Sequence, residues 1–143
     1  MNETYWFFNT DEAEAEGEGA HLEMIAHSRI AAWGYCRGTG ACATLDRPEE
    51  GETIFFYQAG HGIIASGEVV GRAFRADTVF GQDGEYHRNI NNLRVLACPL
   101  TVAEVRENTG YQLPFRHIVC RLNHPNGVRF IREHFENLPP TQG

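Results

Sequence analysis

The sequence predicts an α+β fold in which about six strands form a barrel-like sheet flanked by short helices. An aromatic strand at Thr53–Gln58 is joined to a strand at residues 63–70 by four residues, a length that hairpins use. A capping box formed by Thr101 and Glu104 opens a short helix. The predicted order is strand, helix, two strands, loop, strand, helix, strand, helix, without a repeat. This order favours a barrel-like sheet over a doubly wound one.

The first two predicted elements are a strand and a helix. Residues 5–8 are aromatic, as strands prefer, and the short polar residues after them favour a turn. From Ala20 onward, apolar residues recur at helical spacing, and Gly34 supplies the stop. These apolar positions are Leu22, Ile25, Ala26, Ile30 and Trp33. We therefore predict a helix that ends at Trp33.

The middle of the chain contains the hairpin and a long connection. An acidic turn at residues 47–52 precedes the hairpin. Residues 71–85 lack a clear period and contain three glycines, so they predict an irregular loop. Long loops in compact domains are often functional. Residues 86–97 then predict a strand that is interrupted near Asn91 and Asn92.

The last third of the chain predicts a helix, a strand and a second helix. The helix that Thr101 opens closes near Gly110. Residues 116–122 alternate as a strand does. A final amphipathic helix begins at residues 126–127 and ends at residues 139–140, which are both proline. Its inward positions are Val128, Ile131, Phe135 and Leu138.

The charge of the chain is unevenly distributed. Its basic residues are 12 arginines with no lysine, its acidic residues number 19, and the formal net charge is -7. The excess of acids lies in the first 23 residues. The chain length predicts a single domain, residues 1–143. A net acidic chain argues against nonspecific coating of nucleic acid, which needs a basic surface. A small arginine-lined footprint remains compatible with this charge.

No membrane segment, secretory signal or metal pattern is predicted. The sequence has no run of about 18 apolar residues and no basic-then-apolar N-terminus, so we expect a cytoplasmic protein without membrane contact. Its four cysteines match no tight zinc spacing. We expect no cofactor and no metal site, with the cysteines as small apolar residues.

Catalysis is the weaker functional alternative. The only serines, Ser28 and Ser66, lie outside any nucleophile-elbow sequence. The nearest acid-base cluster, relevant to a hydrolase or nuclease, lacks metal-ligand spacing. It consists of Asp77, Asp83, His87 and Arg88. A further alternative is a protein-interaction module whose acidic loop at residues 11–18 mimics nucleic acid or docks on a basic partner.

The ordered motifs resemble the EVE domain, a member of the PUA-like fold group that includes the YTH readers of methylated adenosine. The resemblance spans nearly the whole chain, and its motifs are the opening aromatic strand, residues 33–37, residues 51–57, residues 64–69, Asp77-Thr78 and residues 99–101. It implies a PUA-like β-barrel and a non-catalytic domain that binds a modified or flipped nucleobase in DNA or RNA. It also implies that a nuclease or methyltransferase is encoded nearby.

The resemblance implies a set of pocket residues. Trp33 forms one wall and stacks on the base, while Asn9 and the Gly34 backbone contact the base edge. Tyr57 and Gln58 end the aromatic strand near the same mouth. A second wall comes from Phe74 or Phe80 in the predicted loop. The flanking arginines proposed to bind phosphates are Arg29, Arg37, Arg72 and Arg75.

Structural alternatives exist for these residues. Asn9 can instead close the first strand with a side-chain turn. Trp33, Tyr57 and either phenylalanine can instead pack in the core. Each arginine can instead be a solvated surface residue. The fold decides between these alternatives, because side chains that form a pocket must lie close together.

Overall fold

The computed structural model describes residues 4–10, 20–32, 35–36, 39–75, 86–114, 119–136 and 138. Its elements are α and β in mixed order, which confirms the α+β class. They are β1 (Tyr5–Asn9), α1 (Ala20–His27), β2 (Arg29–Ala32), β3 (Tyr35–Cys36), β4 (Thr39–Gly40), α2 (Ala41–Leu45), β5 (Thr53–Gln58), β6 (Gly62–Arg75), β7 (Tyr86–Leu100), α3 (Val102–Thr109), β8 (Val119–Leu122) and α4 (Pro125–Glu133).

Six strands form one mixed sheet in the order β2-β7-β6-β5-β1-β8, and β3 pairs with β4 separately. The pairing of β1 with β5 is parallel, and the other pairings in the large sheet are antiparallel. The predicted number of strands is therefore confirmed. Within the described residues the sheet is not closed into a barrel, because β2 and β8 each pair on one side only.

Both faces of the sheet are covered, so the central strands are apolar on both sides. Trp6 and Phe8 of β1 point into one cluster, with Met24 of α1 and Leu45 of α2, which we call the first core. Phe7 of β1 points to the other face, into a cluster that we call the second core. The second core includes Phe55, Val105, Leu113, Ile131 and Phe135. The two cores explain why residues 5–8 are continuously aromatic rather than alternating.

The first predicted helix is shorter than expected, and this part of the prediction is wrong. Helix α1 ends at His27, Ser28 adopts a left-handed conformation with φ of 51°, and β2 follows. Ile30 is buried as a strand residue, and its spacing from the α1 residues matched the helical period by coincidence. Pairing with β7 determines the conformation of this segment, and the Ile90 amide donates to the Ser28 carbonyl at 2.8 Å.

The predicted irregular loop begins later than expected. Strand β6 continues through residues 71–75, where Arg75 pairs with Tyr86 of β7, so this part of the prediction is wrong. Residues 76–85 lie outside the described residues. A register shift between Val70 and Phe74, with Gly71 at φ of 65°, breaks the alternation of this segment.

The predicted interruption of β7 is confirmed as a bulge. Asn92 has a φ of 51°, and the β6–β7 register shifts between Ser66 and Glu68 on the facing strand. The strand nevertheless continues to Leu100. A third register shift lies between Ile63 and Ala65. The β6–β7 pairing is therefore long but repeatedly offset.

Both ends of α3 and the start of α4 agree with the prediction. Helix α4, however, ends at Glu133 rather than at residues 139–140, so that part of the prediction is wrong. Thr101 accepts a hydrogen bond from the Glu104 amide, Glu104 bonds back to the Thr101 backbone, and Gly110 caps α3 at φ of 77°. Helix α4 begins at Pro125, just before the predicted start, and His124 Nδ1 accepts from the Gly127 amide at 2.9 Å. Pro125 suits the first helical position because its missing amide needs no partner.

Buried and exposed positions in the C-terminal region also agree with the prediction. Val128, Ile131 and Phe135 are buried, and Leu138 packs partly against the second core. The predicted strand at 116–122 is described from Val119 onward as β8. Residues 115–118 lie outside the described residues.

A buried arginine connects the sheet to the turn between α2 and β5. Arg88 of β7 is 3% exposed. Its Nη1 donates to the carbonyls of Leu45, at 2.8 Å, and Pro48. Its Nε and Nη2 donate to the Gly71 carbonyl at 3.2 and 2.9 Å. This single side chain therefore holds the turn against β6 and β7.

We expect Arg88→Met to destabilise the domain by about 3 kcal/mol, because three carbonyls lose their donor. Arg72→Met is the control, since Arg72 is exposed beside the same turn. That change should alter stability by no more than about 0.5 kcal/mol. Denaturant midpoints of both variants test this. Equal midpoints would show that Arg88 is dispensable to the fold.

Candidate nucleic-acid interface

Three of the predicted pocket residues lie at the carboxyl ends of β1 and β5. Asn9 ends β1 and pairs with Tyr57, and Gln58 follows at the end of β5. The Thr10 amide and hydroxyl both donate to the Tyr57 carbonyl, at 3.0 and 3.1 Å. Because the two strands are parallel, their ends meet at one edge. We call Asn9, Tyr57 and Gln58 the strand-end group.

The ring of Tyr57 belongs to the second core. It is 7% exposed, and its centroid lies 5.1 Å from that of Phe7. Burial raises the pKa of the Tyr57 hydroxyl, and a hydrogen bond with the Gly60 backbone lowers it by less. Tyr57 thus has the packing expected of the core alternative. Asn9, which is half-buried beside it, is the residue of the pair with more access to a ligand.

The strand-end group lies beside the start of β6, where Gln58 pairs with Gly62, and a second group lies where β6 ends. The Arg29 guanidinium carbon is 5.1 Å from the centroid of the Phe74 ring, and the Phe74 ring is 6.0 Å from that of His87. Phe74 pairs with His87, and the exposed Arg75 is next along β6. Stacking on an aromatic face orients a guanidinium and leaves its N–H donors available to other groups. We call Arg29, Phe74 and Arg75 the arginine–aromatic group.

Arg72 lies in a different environment from Arg29. It lines a cavity of about 420 Å³. The other residues lining this cavity are Asp46, Pro48, Glu49, Glu50, Gly71 and Arg88. Asp46 and Glu50 also accept backbone hydrogen bonds, from Ala73 at 2.7 Å and from Gly71 at 2.5 Å. Because carboxylates surround this cavity and Arg88 donates to carbonyls, a phosphate would meet like charge here.

The remaining predicted site residues are not described. Trp33, Gly34, Phe80 and Arg37 lie outside the described residues. Apart from Arg72, the described part of the predicted site is therefore divided between the strand-end group and the arginine–aromatic group, at opposite ends of the 14-residue strand β6.

Trp6 has a structural role that the sequence analysis did not identify. Its Nε1 donates to Glu52 Oε1 at 3.0 Å, and the Arg47 guanidinium lies 5.4 Å from its ring centroid. Arg47 also donates to the Val119 carbonyl at 2.7 Å. A tryptophan N–H in a core needs a polar partner, and the acidic turn at 47–52 was the signal for one. Through these contacts Trp6 links the turn to β1.

The described residues contain no group of three or more histidine, cysteine or acidic residues that could hold a metal ion. Of the acid-base cluster considered above, Asp77 and Asp83 lie outside the described residues. His87 is buried, and Arg88 is engaged with main-chain carbonyls.

The helices of the described residues include none that is long and apolar enough to cross a membrane.

The raised pKa of Tyr57 predicts a loss of stability in alkaline solution. A hydroxyl whose pKa is higher in the folded state stabilises the fold below its unfolded pKa of about 10, and this contribution is lost as pH rises through the folded pKa. Burial raises the pKa values of Tyr111 and Cys120 in the same sense.

We expect the free energy of unfolding to fall above about pH 9, and to fall less steeply in Tyr57→Phe. Below that pH the variant should be less stable by about 1 kcal/mol through loss of one hydrogen bond. Denaturant titrations from about pH 7 to about pH 11 measure both effects. Identical alkaline slopes for parent and variant would contradict the assignment to Tyr57.

No protein-family model and no curated protein matches the sequence. Solved structures do match it over nearly its whole length. A protein from Pseudomonas syringae is 16% identical, with a TM-score of 0.61, and the match covers 92% of this chain and 99% of that one. A protein from Agrobacterium tumefaciens is 17% identical, with a TM-score of 0.60 and coverages of 98% and 99%.

A third similar structure is a complex with DNA. It is human THYN1 in complex with DNA containing 5-methylcytosine, which is 16% identical with a TM-score of 0.59. The match covers 96% of this chain and 100% of that one. At such low identity the likeness is one of fold, and it extends over whole chains. The chain therefore shares the fold of these structures, which is consistent with the EVE-type, PUA-like fold that its sequence motifs resemble.

Proposed function

We propose that this protein is a non-catalytic nucleic-acid reader that binds a modified or flipped base. The observation that carries the proposal is the whole-chain likeness in fold to human THYN1, whose structure contains DNA with 5-methylcytosine. The absence of a metal-ligand cluster among the described residues is compatible with this role. A nuclease or methyltransferase encoded nearby would be its functional partner.

The base pocket is proposed to use Trp33, the Gly34 backbone and Asn9. Of the two tryptophans, Trp6 is buried in the first core and bonded to Glu52, which leaves Trp33 as the one assigned to stacking. Asn9 supports the proposal because its amide both donates and accepts, as recognition of a base edge requires. Stacking on a ring contributes about 1 to 3 kcal/mol per base.

Phosphate contacts are proposed for the arginine–aromatic group. Arg29 is held against Phe74, so less side-chain freedom is lost when it meets a phosphate. Arg75, which follows Phe74 on β6 and is exposed, adds a second charge. Arg72 is a weaker candidate, because its cavity is rimmed by Asp46, Glu49 and Glu50. A footprint of two arginines agrees with a chain whose net charge is -7.

We expect the protein to bind a duplex containing 5-methylcytosine more tightly than the same unmodified duplex. Trp33→Ala should stay folded and lose about 1 to 3 kcal/mol of binding, while Trp33→Phe should keep most of the affinity. Fluorescence anisotropy and denaturant midpoints on the same preparations measure both properties. Matched single strands of DNA and RNA with other modified bases identify the preferred ligand.

Two outcomes would overturn this proposal in different ways. A loss of about 3 to 5 kcal/mol of stability in Trp33→Ala would show a core residue and a misplaced pocket. A parent protein that binds none of these nucleic acids would favour the alternative of a protein-interaction module. The acidic segment at residues 11–18, where the charge is concentrated, supports that alternative.

We further expect Arg29→Gln to weaken nucleic-acid binding about equally for modified and unmodified strands. The slope of log affinity against log salt should fall by about 1, as for one lost phosphate contact. Arg129→Gln is the control, because Arg129 is an exposed residue of α4 paired with Glu133 at 4.0 Å. An unchanged salt slope in Arg29→Gln would remove Arg29 from the interface.

A further inference from the structure

A concave pocket lies on the face of the sheet that α4 covers. Its volume is about 360 Å³, within the range of small-ligand sites. The residues lining it are Tyr5, Thr53, Phe55, Ser66 and Arg94 from β1, β5, β6 and β7, and Arg132, Phe135 and Glu136 from α4 and the turn after it. We call it the α4 pocket. Tyr5 and Thr53 begin β1 and β5, so it lies away from the strand-end group.

The sheet aligns the polar groups of the pocket in one row. Ser66 pairs with Phe55 on one side and with Arg94 on the other, and Tyr5 pairs with Thr53. Side chains of paired residues project to the same face, so they converge on the pocket from four adjacent strands. Residues on regular strands hold a binding geometry more precisely than residues on loops.

The floor of the pocket is a rigid row of aromatic rings. The centroids of Tyr5 and Phe55 are 5.8 Å apart with planes 6° from parallel. Those of Phe55 and Phe135 are also 5.8 Å apart, with planes at 24°. These rings form an apolar floor below the two arginines.

Arg94 is the chemical reason to expect a ligand. Its side chain is partly buried, and its Nε is buried without an acceptor among the described residues. A guanidinium has five donors and no acceptor, so it can be satisfied only by oxygen atoms or similar groups. A buried donor left without a partner is unfavourable. An anion in the pocket would supply the missing acceptors.

The second arginine of the pocket is held in place by protein contacts. Arg132 Nη1 donates to the Tyr5 hydroxyl at 3.4 Å, and its Nε lies 3.4 Å from Glu136 Oε1. The charged residues of the pocket are two arginines, Arg94 and Arg132, and one carboxylate, Glu136, so its net charge is positive. Glu136 is about half exposed, so it can turn toward solvent when a ligand anion replaces it.

We infer that the α4 pocket is a second ligand site, separate from the proposed base pocket, that takes a compact oxyanion on a small organic molecule. The group is a phosphate monoester or a carboxylate, since both match the fork of a guanidinium. Arg94 binds it directly, and Arg132 completes the charge. A ligand of this size enters from the α4 side without contact to Asn9 or the arginine–aromatic group.

The test is calorimetric titration of the full chain with inorganic phosphate, a nucleoside 5′-monophosphate and benzoate. We expect at least one probe to bind with one-to-one stoichiometry. Arg94→Met should weaken that binding tenfold or more, to about the extent that loss of a charged hydrogen bond implies. Glu136→Gln should strengthen it by removing the competing carboxylate. The probe that binds most tightly distinguishes the phosphate source from the carboxylate source.

Controls separate this site from the rest of the molecule. Arg106→Met, at an exposed position on α3, should leave the binding unchanged. Trp33→Ala should also leave it unchanged, so failure of the base pocket and failure of the α4 pocket give different results. In buffer that contains neither phosphate nor carboxylate anions, Arg94→Met should be at least as stable as the parent.

Three results would overturn the inference. One is that no probe binds the parent protein. Another is that Arg94→Met binds the probes as tightly as the parent does. The last is that Arg94→Met lowers the denaturant midpoint in buffer free of phosphate and carboxylate, which would make Arg94 a structural residue.

Discussion

The parallel pairing of β1 with β5 is the constraint on which the rest of the structure depends. Parallel neighbours require a crossover connection, and here that connection contains α1, β2, β3, β4 and α2. The crossover carries β2 to the far edge of the sheet before the chain returns to its centre. It also aligns the carboxyl ends of β1 and β5, so Asn9 and Tyr57 become neighbours.

The crossover ends at the turn between α2 and β5. Hydrogen bonds of charged side chains, and not apolar packing alone, hold this turn in place. Arg88 donates to the carbonyls of Leu45, Pro48 and Gly71. Glu52 accepts from the Trp6 indole and from the Glu49 amide, the latter at 2.7 Å. Such bonds are directional, unlike hydrophobic contacts, so they specify where the turn docks. Much of the acidic turn thus serves the fold, and its charge is not evidence of a partner.

Local signals in the sequence predicted local structure well, and long-range pairing limited the rest. The hairpin, the capping box of α3 and the buried face of α4 each depend on neighbouring residues, so pattern was enough. The helix predicted through Trp33 failed because β7 pairs with residues 29–32, which no local pattern reveals. The site was harder, since the ring of Tyr57 could face either a ligand or Phe7, and only the packing decides.

The offsets between β6 and β7 affect how this chain is compared with its relatives. The shifts between Ile63 and Ala65 and between Ser66 and Glu68 each leave an odd number of extra residues in β7. Each of them therefore changes which face the following residues occupy, and strict alternation does not hold across them. With structural relatives that share only 15 to 17% of their residues, an alignment gap displaced by one position would exchange inward and outward residues. Evolutionary comparisons of this fold should therefore be anchored at the bulges, with Asn92 as a fixed point.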